Sequence, residues 1–114
     1  PKPEIKLVDG GSETGVIYYG TSTYATEEAV ELLTADGIRL DEMHIKAFPF
    51  GQAVVDFVNS HERVFVIEQN RDAQLRSLMM IELGASPDKL IPVLNYDGMP
   101  ITADFIYGQV KKSM

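Results

Sequence analysis

The chain has 114 residues, of which 45% are hydrophobic and 24% charged, the make-up of one ordinary globular domain able to bury a core. A formal charge of −7 argues against nucleic acid or an anionic membrane as the main partner, because phosphate recognition needs a basic footprint. The absence of cysteine removes thiolate nucleophiles, disulfides and cysteine-ligated zinc or iron–sulfur sites.

No run of about 18 apolar residues is present to span a membrane. Pro1-Lys2-Pro3-Glu4 lacks the basic-then-apolar build of a signal peptide, and the chain opens without Met, as a processed or excised fragment would. Ile5-Lys6-Leu7-Val8 reads as a short edge strand, bounded by Pro3 and by the Asp9-Gly10-Gly11 turn. Residues 9–15 then lead into Val16-Ile17-Tyr18-Tyr19, whose branched and aromatic side chains suit a buried strand. Gly20 ends it. Thr21, Ser22 and Thr23 offer oxygens to a helix start, and Ala25, Ala29, Leu32 and Leu33 give that helix one apolar stripe. Asp36-Gly37 is its stop.

Residues 40–48 alternate Met43, Ile45 and Ala47 with His44, Lys46 and Phe48, a strand with one face more apolar than the other. Pro49-Phe50-Gly51 turns the chain, and Ala53, Val54, Phe57 and Val58 mark a second helix ending near Asn59-Ser60-His61. Val64-Phe65-Val66-Ile67 is the continuous apolar run of a parallel strand buried on both faces. A third helix follows, striped by Leu75, Leu78, Met79 and Leu83 and stopped by Gly84. Leu90-Ile91-Pro92-Val93-Leu94 is a last strand, placed at an edge because Pro92 has no N–H to give. After the 96–100 turn, Thr102 caps a final helix with Phe105, Ile106 and Val110 on its apolar face and Lys111 and Lys112 at its end.

Strands alternating with helices at these spacings define an α/β three-layer sandwich around a mostly parallel sheet. Such sheets bind ligands outside the carboxyl ends of their strands. Three segments qualify: 20–23, 46–51 and 68–72. The first has a glycine, hydroxyls and a helix start, yet its glycine spacing fits neither a dinucleotide fingerprint nor a P-loop; it reads as ordinary capping first and as an anion-binding helix start second. Glu68, Gln69, Asn70 and Arg71 are large hydrogen-bonding groups in a row. They read either as a solvated strand end or as a docking edge toward another domain. Lys46, Arg71 and Arg76 are secondary candidates for gathering around an anion. Asp72 is close enough to Arg76 to pair with it. His44, within a strand, and His61, at a helix end, have no ligand partners at metal-binding spacing. No serine sits in a Gly-x-Ser-x-Gly elbow, and a phospho-receiver domain would want clustered acids where only Glu68 stands.

Several separated blocks carry a family resemblance. Tyr19-Gly20-Thr21-Ser22-Thr23 with Glu28-Ala29-Val30, then His44-Ile45-Lys46-Ala47-Phe48-Pro49-Phe50, then Val66-Ile67-Glu68-Gln69-Asn70, resemble the carboxyl-terminal domain of the alpha subunit of 2-oxoacid:ferredoxin oxidoreductases. The segment Arg71-Asp72-Ala73-Gln74-Leu75-Arg76 and the 94–103 stretch look most like the 2-oxoglutarate type. Many relatives instead continue with Gly-Gln-Leu after their Glu-x-Asn block. The resemblance implies a fold like the transketolase carboxyl-terminal domain, with a mixed five-stranded sheet and an antiparallel first edge strand. It places the strands at 16 and 63 centrally and those at 40 and 90 outside them. Residues 1–14 would be linker and edge strand, and 15–114 the main unit of the same domain.

The parent enzymes oxidatively decarboxylate a 2-oxoacid to an acyl-coenzyme A and reduce ferredoxin. They use thiamine diphosphate, magnesium and iron–sulfur clusters held elsewhere in the alpha and beta subunits. The resemblance therefore implies a cytoplasmic assembly domain with no catalytic residue, metal or cofactor of its own, inactive when isolated. Glu68, Gln69, Asn70 and Arg71 would dock against the amino-terminal domain of the same subunit or the beta subunit. Two alternatives are the equivalent domain of a transketolase-like or dehydrogenase-complex thiamine enzyme, and an independent flavodoxin- or receiver-like binding module.

Overall fold

The computed structural model describes residues 4–8, 11–19, 23–45, 51–68, 74–84, 86–94 and 101–114, without the side chains of Gln74, Leu75, Glu82 and Leu83. In chain order the elements are β1 (Glu4–Lys6), β2 (Thr14–Tyr19), α1 (Thr23–Ala35), β3 (Asp41–Ile45), α2 (Gln52–Asn59), β4 (Arg63–Glu68), α3 (Gln74–Leu83), β5 (Leu90–Leu94) and α4 (Ala103–Ser113). The strands form one five-stranded sheet in the order β1-β3-β2-β4-β5. β1 runs antiparallel to β3, while β2, β3, β4 and β5 are mutually parallel. The expected mixed sheet, its antiparallel first strand and its two central strands are all present.

Alternation along the strands sorts the core into two layers. Val16, Tyr18, Phe65, Ile67 and Val93 face α1 and α4, whereas Ile17, Met43, Ile45, Val64 and Val66 face α2 and α3. β2 and β4 are buried on both faces because each has a strand on either side and helices above and below. Pro92 lies in β5, at an edge, where its missing N–H removes no ladder bond.

Several expected boundaries move. β2 begins at Thr14, so Gly15 is a strand residue and not part of the lead-in. The 40–48 strand is observed as Asp41–Ile45, residues 46–48 lying outside the described part. The inward stripe of α1 is Thr26, Ala29, Val30 and Leu33, while Leu32 is 38% exposed. The helix has rotated one position from the expected stripe because Thr26 and Val30 also meet the sheet. In α3, Met79 is buried and Leu78 is 38% exposed. Gly37 takes a left-handed φ of +85° after α1, with the Gly37 N–H on the Thr34 carbonyl at 2.9 Å and the Ile38 N–H on that of Leu33 at 2.9 Å. These bonds satisfy carbonyls that a helix end would otherwise leave open. Thr102 caps α4 as expected, its hydroxyl oxygen accepting the Phe105 N–H at 3.1 Å.

Candidate functional site

The strand order reverses between β2 and β4. From β2 the chain crosses by α1 on one face, and from β4 by α3 on the other. The crevice at such a reversal is where this architecture takes ligands. Gly20, Thr21, Ser22, Lys46, Gln69, Asn70, Arg71 and Asp72 lie outside the described residues. Glu68 and Arg76 are described. Glu68, only 6% exposed, accepts the Arg76 backbone N–H through Oε2 at 3.2 Å. A carboxylate at a helix start is favourably placed, so Glu68 fixes the first turn of α3. The Arg76 guanidinium points elsewhere: Nε donates to the Leu90 carbonyl at 2.6 Å and Nη2 to that of Pro87 at 3.0 Å. It is spent on backbone leading into β5.

A second polar group lies where β3 meets β1 and α1. The Tyr18 and His44 rings stack in register across β2 and β3, with centroids 5.0 Å apart and planes 6° from parallel. His44 Nε2 is 3.2 Å from the Thr23 hydroxyl at the start of α1. Burial pushes the Tyr18 hydroxyl above its ordinary value, helped by the negative charge of Glu42. Burial also raises the Glu42 carboxyl, with Lys6 opposing and Glu27 and Glu31 adding to the rise. A raised carboxyl favours the folded state at low pH and loses that benefit as pH climbs through its folded value. Glu42→Gln is therefore expected to stabilise the fold at pH 7 in urea unfolding, with the gain vanishing below the ordinary value of 4.5. A gain that persists at low pH would contradict this account.

The most enclosed polar pair was not legible in the sequence, and it sits at the opposite, amino end of the parallel strands. His61 Nε2 is 2.7 Å from Asp41 Oδ2, both side chains being 3% exposed. Asp41 also accepts the backbone N–H of Val8 through Oδ1 at 2.9 Å and that of Ser12 through Oδ2 at 3.1 Å. His61 Nδ1 lies 2.6 Å from the Phe57 carbonyl oxygen, and the ring packs on Phe57 with centroids 4.3 Å apart. Ser60 Oγ is 3.2 Å from the same nitrogen. Ser60, His61 and Asp41 thus touch in sequence, like a nucleophile, base and orienting acid.

Geometry denies them that chemistry. Nδ1 is already directed at the Phe57 carbonyl, and the Ser60 hydroxyl donates to that carbonyl too, at 3.0 Å. A nucleophilic serine needs a free base nitrogen to take its proton. The cluster is a clasp, joining the β1–β2 connection, the start of β3 and the end of α2. Its only signal in the sequence was a polar Asp41 opening a strand.

No family model matches the chain. Over 98% of its length it is 29% identical to 2-oxoacid:ferredoxin oxidoreductase 2, subunit alpha, from Aeropyrum pernix, covering 18% of that protein. The chain is homologous to such alpha subunits. Among solved structures, the 2-oxoglutarate:ferredoxin oxidoreductase from Magnetococcus marinus, with 2-oxoglutarate, coenzyme A and succinyl-CoA bound, matches with a TM-score of 0.83 and 30% identity. That match covers 98% of this chain and 19% of the other. The chain therefore spans about a fifth of the length of these relatives. The alpha chain of a probable 2-oxoacid ferredoxin oxidoreductase from Thermoplasma acidophilum shares the fold, with a TM-score of 0.63, 23% identity, and 98% and 96% of the two chains covered. A split-gene transketolase, an inactive beta4 tetramer, does likewise at 0.69 and 17%, over 96% of this chain and 40% of that one. The domain thus has the transketolase carboxyl-terminal architecture.

The described residues at the carboxyl end of the sheet include Tyr19, Thr23 and Glu68, and the Arg76 guanidinium is turned toward the carbonyls of Pro87 and Leu90. Among the described residues no group of His, Asp and Glu is arranged to hold a metal ion. No helix among them is long and apolar enough to cross a membrane.

Proposed function

We propose that this chain is a non-catalytic docking domain of the alpha subunit of a thiamine-dependent 2-oxoacid:ferredoxin oxidoreductase. The observation that carries the reading is the match over 98% of the chain, at 30% identity and a TM-score of 0.83, to part of a much longer oxidoreductase chain. The clasp geometry and the commitment of Arg76 to backbone carbonyls support a domain without chemistry of its own. In this reading the parent oxidatively decarboxylates 2-oxoglutarate to an acyl-coenzyme A and passes electrons to ferredoxin, in the cytoplasm. Residues 1–14 form linker and edge strand, and 15–114 the main unit.

The strand-end segment Glu68, Gln69, Asn70 and Arg71 meets the amino-terminal domain of the same subunit or the beta subunit. Glu68 serves it by holding the start of α3. A coenzyme A contact is a subordinate part of the proposal and falls to Lys46 and Arg71, since Arg76 is already bonded. Docking of this kind matters because misplacing reacting groups by about 1 Å can cost roughly a hundredfold in rate.

Ferredoxin reduction by the purified whole enzyme, with 2-oxoglutarate and pyruvate compared in the presence and absence of coenzyme A, tests the parent reaction. The expected result is coenzyme A-dependent reduction with 2-oxoglutarate preferred, and none from the isolated chain. Turnover by the isolated chain, or no ferredoxin reduction with any 2-oxoacid, would overturn it.

A further inference from the structure

β1 has β3 on one side and, among the described residues, no strand on the other. Its three residues, Glu4, Ile5 and Lys6, are all exposed. Such an edge is a template for another strand, because it offers a row of backbone N–H and C=O groups. Shortness and an edge lysine ordinarily discourage that pairing. Here the lysine is drawn aside, since Lys6 Nζ bonds Glu27 Oε2 of α1 at 2.7 Å. Directly opposite residues of an antiparallel pair share a face, so Ile5, level with Met43, points to the α2 side of the sheet. Leu7 lies on that side too, lining a cavity with Ser60 and His61 from the end of α2. Both are large apolar side chains in water, Ile5 being 43% and Leu7 65% exposed.

We propose that β1 pairs antiparallel with β1 of a second copy of this chain, about a two-fold axis at Ile5, joining two five-stranded sheets into one. The charge pattern selects both the partner and the register. With Ile5 opposite Ile5, Glu4 of each copy stands opposite Lys6 of the other, giving two opposite-charge pairs on the α1 face. Sliding the strands by two residues sets Glu4 against Glu4 or Lys6 against Lys6, and like charges directly opposite are destabilising. An ammonium has three N–H donors, so Lys6 keeps Glu27 while meeting Glu4 of the second copy. On the other face the two Ile5 side chains meet, and each Leu7 flanks them. The interface is isologous and closes at two copies, because the far edge of the sheet, β5, carries Pro92. The inference stands on strand geometry and charge, and goes beyond the docking reading.

The test follows the molar mass of the chain by sedimentation equilibrium up to about 1 mM, the weak end of the affinity scale, with backbone amide NMR spectra over the same range. A monomer–dimer equilibrium is expected, with concentration-dependent shifts centred on residues 4–7. Glu4→Lys and Lys6→Glu, measured separately, should each dimerise roughly tenfold more weakly, because two attractive cross-strand pairs become repulsive. An equimolar mixture of the two variants should form a heterodimer of parental affinity, and the double variant Glu4→Lys/Lys6→Glu should dimerise like the parent chain. Misfolding, or loss of the exposed Lys6–Glu27 bond, would produce neither rescue. A chain that stays monomeric overturns the proposal and leaves the edge to a strand from another protein or domain. A dimer that the single swaps do not weaken, or whose weakening the mixture does not reverse, overturns it as well, because another surface then holds the copies together.

Discussion

Asp41→Ala is expected to destabilise the fold by ~3–5 kcal/mol, because three hydrogen-bond donors around one buried carboxylate lose their acceptor at ~1–3 kcal/mol each. The substitution leaves the His61 ring buried without its acceptor and also strips the acceptor from the N–H groups of Val8 and Ser12. His61→Ala should cost a similar amount, since it abandons the carboxylate and removes the ring that packs on Phe57. Asp41→Asn should be milder, because an amide oxygen still accepts one of these bonds. Urea unfolding of the two single variants and the double variant checks the pair. Their coupling should fall within the ~0.5–3 kcal/mol seen for residues in direct contact. Losses below about 1 kcal/mol for both single variants would mean that the clasp is dispensable.

Gly15→Ala carries the second largest expected effect. A Cβ built on Gly15 would stand 2.7 Å from Phe57 Cε1, 2.9 Å from Phe57 Cζ and 3.4 Å from His61 Cδ2. Because Phe57 is 4% exposed and wedged between β2 and His61, it has little room to retreat. Overpacking of this kind costs ~1–3 kcal/mol. Shrinking the obstacle should relieve it, so in a Phe57→Leu background the added methyl should cost measurably less. An undiminished penalty in that background would place the strain somewhere other than the aromatic ring. Both predictions concern the amino end of the sheet and leave the opposite end untouched.

The strands and helices were legible because burial imposes periodicity on the chain. β2 and β4, covered above and below, had to be continuous apolar runs, and Pro92 had to stand at an edge. The stripe of α1 was displaced by one position because Thr26, a polar residue at 0% exposure, carries no hydrophobic signal. The clasp was invisible for a different reason. Asp41 and His61 are 20 residues apart, and each alone looks like an ordinary polar residue at an element boundary. Only the sheet order brings them together: β2 lies between β3 and β4, with Gly15 level with Asp41, and His61 packs across that glycine. Glu68 was picked out as a strand-end residue, but its bond to the Arg76 backbone N–H depended on where α3 begins. The sequence offers Asp72, which lies outside the described residues, as a partner for Arg76, whereas the Arg76 guanidinium is held by the carbonyls of Pro87 and Leu90.

The central claim is that the domain acts by holding its neighbours in place. The measurement that tests it most directly compares the whole enzyme with and without residues 15–114, co-expressed with the beta subunit. Complex mass and bound thiamine diphosphate are read on the same preparations. Docking predicts that deletion scatters the complex or empties the cofactor site. A truncated enzyme that keeps its size and its full thiamine content would contradict it.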